Sequence, residues 1–148
     1  MLEFTLILLE FYFPSIFYKT FNVAPSFLLL LIIFVAFNYG QKSAILIAFL
    51  FGFIKDILIQ YSSFGLLTLL TCVFAYCIGH LIKINDIKIK YMVSFFFFLI
   101  YFYFYYLFQF SSSSILYLEL SFIKTLMTII TYFIINFIFN KRNKFFEK

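Results

Sequence analysis

The chain has 148 residues, of which 66% are hydrophobic and 11% charged, with a formal net charge of +5. At a mean hydropathy of +1.09, this composition excludes a soluble globular domain and leaves no basic surface suited to nucleic acid. Segments apolar on every side belong in lipid. Phe stands at 27 positions and Tyr at 12, which reads as the compositional bias of an A+T-rich coding sequence and not as an aromatic binding site.

Apolar blocks run over about 2–18, 23–38, 43–60, 64–82, 91–110 and 115–139, lengths that bracket the roughly 20 residues a bilayer requires. They predict an all-α integral membrane protein of about six transmembrane helices in one polytopic domain, closed by a basic tail over 140–148. The amino terminus has neither a positive n-region nor a small-residue cleavage site, so the first block is expected to be kept as a span. Glu10 and Pro14 interrupt that block, and Pro25 opens the second where a missing N–H costs least. Either block can therefore span, tilt, re-enter or lie at the interface.

The third block carries Ala44, Ala48, Gly52 and Asp56 at four-residue spacing, one helix face of three small side chains and a carboxylate. Small residues let another helix backbone approach closely in lipid, and a carboxylate at membrane depth needs a partner. This face predicts helix packing or a partner interface. In the fourth block Gly65, Thr68, Cys72, Ala75 and Gly79 follow one another at 3, 4, 3 and 4 residues, a second small-residue seam. Cys72 and Cys77 are turned about 140° apart on their helix, which excludes a shared metal or a local disulfide. Ser121, Thr125 and Thr128 in the last block form a hydroxyl stripe able to bond across helices or back to its own carbonyls.

Lys83, Lys88 and Lys90 in one loop, and Lys141, Arg142, Lys144 and Lys148 in the tail, place those segments and both termini in the cytoplasm. Glu10, Lys55, Asp56, Glu119 and Lys124 then fall within spans, all in the outer leaflet. Each costs about 2.5–3.5 kcal/mol at a helix centre and less near an end, so cross-helix pairing is expected, with Asp56 and Lys124 at compatible depth. No catalytic set, phosphate loop or metal cluster is present in the sequence, so neither enzymatic activity nor a cofactor is expected.

Residues 25–82 resemble the rod shape-determining protein MreD family. The resemblance rests on Gly52-Phe53-Ile54-Lys55-Asp56, on Gly65 nine residues later, and on Pro25 opening a Leu-rich span. Ser26 stands where many members have an acidic residue. The resemblance implies a non-catalytic subunit of the bacterial cell-elongation complex in the inner membrane. Its implied partners are MreC, RodA with its transpeptidase, and MreB assemblies, and its fold is expected to be similar to the substrate-binding subunits of energy-coupling-factor transporters. The alternative from another class is such a vitamin-binding subunit itself. Against it, the first block has no alanine or glycine for docking a coupling subunit, and the outer loops are too short to cap a substrate.

Overall fold

The computed structural model describes residues 2–19, 21–59, 65–81, 84, 86–109 and 114–140, which form helices, one pair of two-residue strands and the short turns that join them. The elements are α1 (Leu2–Tyr12), β1 (Phe17–Tyr18), β2 (Phe21–Asn22), α2 (Phe27–Tyr39), α3 (Gln41–Ile59), α4 (Leu66–Leu81), α5 (Ile87–Gln109) and α6 (Ser114–Asn140). The basic tail over 141–148, Lys83 and most of the serine run lie outside the described residues.

The first apolar block departs from expectation. It is not one helix to residue 18: α1 ends at Tyr12 after 11 residues, about 16 Å of rise. Pro14 supplies no N–H and its ring collides with the carbonyl of Glu10, so the helix stops just ahead of it. The chain then turns back through an antiparallel pair in which Phe17 faces Asn22 and Tyr18 faces Phe21, with Lys19 at φ +47°.

α2 is the centre of the molecule. Every residue from Phe27 to Ile33 is buried, as are Val35 and Ala36, and a helix apolar around its whole circumference has to be enclosed. α1, α3, α4 and α6 all pack on it, while α3 packs on α4, α4 on α5, and α5 on α6. Gly40, at φ +89°, lets the chain leave α2 and enter α3 at the next residue. Ile89–Phe108 of α5 and Ile115–Phe137 of α6 are long and apolar enough to cross a membrane. α2 and α4 are apolar but shorter, at 13 and 16 residues. α3, with 19, carries Lys42, Lys55 and Asp56.

The predicted small-residue faces of α3 and α4 lie against each other. Ala44, Ala48 and Gly52 are buried, and a Cβ added to Gly52 meets the Cα of Thr68 at 2.9 Å and the Thr71 hydroxyl. That hydroxyl lies 3.1 Å from the Ala48 carbonyl oxygen. At the other end of the seam, Gly79 rests on the side chain of Gln41, whose Nε2 donates to the Tyr76 carbonyl at 3.3 Å. The face of α3 that reads as a surface for another helix is thus covered by α4 of the same chain. Outward, α3 exposes Leu46, Phe49, Leu50, Phe53 and Ile57.

Two positions of the α4 seam differ from the sequence pattern. Gly65 lies in the turn ahead of α4 at φ +93°, with nothing within 4 Å of where a Cβ would stand, so it serves backbone conformation and not close packing. Thr71 is fully buried where the spacing pointed to Cys72, which is only half-buried. Threonine can donate to carbonyls of both helices, and a thiol is a weaker donor.

Gly52→Leu is expected to destabilise the folded protein by about 1–3 kcal/mol or more through overpacking, read as a lowered melting temperature in detergent. Phe53→Leu, on the exposed neighbouring face, is expected to stay within about 0.5 kcal/mol of wild type. Equal melting temperatures for the two variants would show that the seam can open freely.

Candidate functional site

The ionisable residues that the sequence placed within apolar segments gather at the end of the bundle where α1 and α3 finish and α2 and α4 begin. Asp56, near the end of α3, accepts from the backbone N–H of Leu67 at 3.2 Å and of Thr68 at 2.9 Å, and from the Thr68 hydroxyl. A helix N-terminus exposes N–H groups with no intrahelical partner and carries partial positive charge, so a carboxylate from another helix satisfies both needs. Gly52 admits the backbone of α4, and Asp56, one turn later on the same face, meets the first turn of α4.

Glu10 does the equivalent for α2. Its Oε2 accepts from the Leu28 N–H at 2.8 Å, and its Oε1 forms an ion pair with Lys55. α2 has no cap from its own Ser26 side chain; Ser26 instead donates its backbone N–H to the Thr128 hydroxyl of α6 at 3.4 Å. Lys55 and Asp56 are adjacent in sequence, and the roughly 100° turn per residue directs one to α1 and the other to α4.

Lys124 is 8% exposed and is not paired with Asp56, contrary to the sequence expectation. Its ammonium lies over the rings of Tyr105, Phe102 and Tyr106, at 4.7, 5.4 and 5.6 Å from their centroids. Its polar contact is the carbonyl of Asn22 at 3.5 Å, which also accepts from the Tyr106 hydroxyl at 2.8 Å. Aromatic faces stabilise a cation, more so where water is excluded. Asp56 is committed to the start of α4, so depth alone did not decide the pairing. Ser121, Thr125 and Thr128 are buried and donate back to carbonyls of their own helix, at 2.9, 2.7 and 2.8 Å.

Glu119 is turned outward and holds the strand pair. It accepts from the Tyr18 hydroxyl at 2.8 Å and from Lys19 at 2.9 Å, and its carboxylate holds the Lys19 ammonium above the usual lysine range. Pro25 is buried just ahead of α2. The cluster therefore balances Glu10, Asp56 and Glu119 against Lys19, Lys55 and Lys124. Each of these groups has a fixed neighbour, which suits holding helix ends together. Lys19, Asn22, Thr71 and Gln41 were not singled out in the sequence, and of these only Thr71 carried a signal, three residues after Thr68 on the same face.

The model of a protein family described as rod shape-determining protein MreD matches residues 1–144. No curated protein and no solved structure matches the chain.

Glu10→Gln and Lys55→Gln are each expected to lower stability by about 1–3 kcal/mol, less than for a fully buried pair, because each leaves a part-buried charge without its partner, and the double substitution is expected to recover part of that. Asp56→Asn and Lys124→Gln share no partner, so their losses are expected to add. Melting temperatures of the four single and two double variants check this, and non-additivity between Asp56 and Lys124 would contradict the geometry.

Proposed function

Since the chain belongs to the rod shape-determining protein MreD family, we propose that it serves as a non-catalytic, multi-pass subunit of the bacterial cell-elongation complex, with MreC as its direct partner. Membership gives it a role in determining rod shape in a bacterial membrane. The family match over residues 1–144 is the observation that carries the finer reading.

Two features of the molecule support it. The centre of the bundle, where a solute-binding subunit needs a pocket, is filled by α2, with Leu29, Leu31 and Ile32 at most 2% exposed. The described residues are nearly all helix, so partners meet helix faces. With the small-residue stripe of α3 covered by α4, the faces left for MreC are outward ones such as Phe4 and Leu8 of α1, which packs chiefly on α2. RodA, its transpeptidase and MreB assemblies join through the same complex. All six helices lie across the membrane in this reading, the short ones where charged ends and the strand pair draw water inward, and both termini are cytoplasmic.

Loss of the gene in its source bacterium is expected to round the cells, and wild type is expected to restore rods and co-purify with MreC after detergent extraction. Rod shape without MreC association would overturn the partnership. For orientation, Phe17→Cys and Lys42→Cys in a background lacking Cys72 and Cys77 are treated with an impermeant thiol reagent from outside the membrane. Position 17 is expected to label and position 42 to stay protected, and the opposite pattern overturns the topology.

A further inference from the structure

A groove of about 300 Å³ opens between α2, α5 and α6, at the opposite end of the bundle from the charged cluster. It is lined by Ile33 and Phe37 of α2, by Tyr91, Phe95 and Phe98 of α5, and by Ile129 and Phe133 of α6. Tyr132 also lines it from α6. In the first turn of α5, next to the lining residue Tyr91, Lys90 holds its ammonium 5.3 Å from the centroid of the Phe37 ring, itself part of the lining. We propose that this groove binds one anionic phospholipid, with an acyl chain between α2, α5 and α6 and the phosphate at Lys90. The proposal is independent of the elongation-complex reading.

Length, shape and charge each favour that occupant. From Tyr91 to Phe98 the groove follows seven residues of α5, about 10 Å, which fits within one leaflet of a hydrocarbon core roughly 30 Å thick. A partner helix needs a seam through the whole thickness, and it needs small residues for close approach. This lining is bulky and aromatic, with Ser94 as its one small side chain. A flexible chain fills such an irregular apolar slot where a helix stands off. Next to the Tyr91 end of this apolar groove, Lys90 matches a phosphodiester head at headgroup level.

The chain has no tryptophan, so a single introduced indole reports its own surroundings. Phe95→Trp faces the groove, and Phe96→Trp, at a position 50% exposed, faces outward at nearly the same depth. Each full-length protein is placed in phosphatidylcholine vesicles containing a minor fraction of brominated phosphatidylglycerol, and quenching is measured as that fraction rises. Phe95→Trp is expected to be quenched several-fold more steeply than Phe96→Trp, and adding Lys90→Gln is expected to reduce its preference about five-fold, the contribution of one surface lysine. Brominated phosphatidylcholine in the same vesicles is expected to quench both alike. Ile129→Trp reads the same groove from α6 and replaces position 95 if the larger ring is not accepted there. Equal quenching of groove and outward positions overturns the proposal, as does a preference that survives Lys90→Gln. Protection of the groove indole by a co-purified protein overturns it as well.

Discussion

The close approach of α3 and α4 is the constraint on which the rest of this structure depends. Gly52 brings the two backbones to a separation at which no side chain fits between them. At that separation Asp56 reaches the unpaired N–H groups that begin α4. Lipid offers helices no hydrophobic incentive to associate, so contact quality and hydrogen bonds have to supply the association. One seam provides both, with Thr71 bonding the Ala48 carbonyl in its middle and Gln41 bonding the Tyr76 carbonyl at its far end.

Once that pair is set, α2 follows. It is the most apolar helix of the chain and too short to cross a bilayer alone, and it lies enclosed by its neighbours. Its N-terminus meets the requirement that α4 meets, a set of N–H groups without intrahelical partners, and it is answered the same way by a carboxylate from the preceding helix. Glu10 is in turn neutralised by Lys55, which the α3–α4 pairing has already positioned beside Asp56. The spacing of Gly52, Asp56 and Gly65 thus has a physical account: Gly52 for approach, Asp56 for the start of α4, and Gly65 for the turn that leads into it.

This arrangement decides which faces stay open. The stripe of alanine and glycine that resembles a docking face is spent on the fold, and the surfaces left over are the large apolar ones: the outer side of α3, the open side of α1, and the groove beside Lys90. The bulky apolar side chains are left facing outward, while the small and charged residues keep the protein's own helices in register.

The membrane class, six apolar segments and the small-residue faces of α3 and α4 were legible in the sequence, because composition and periodicity are local properties that lipid enforces directly. The charged residues were legible as a set that must be satisfied, since burying any of them alone is costly. Their partners were not. Asp56 caps α4 instead of meeting Lys124, Glu10 meets Lys55, and Lys124 rests among aromatic rings, because pairing depends on helix rotation and on which backbone ends arrive nearby. The strand pair after Pro14 and the burial of α2 were likewise decided by tertiary structure. An apolar segment reads alike whether lipid or protein surrounds it, and only the packing of the other helices separates the two.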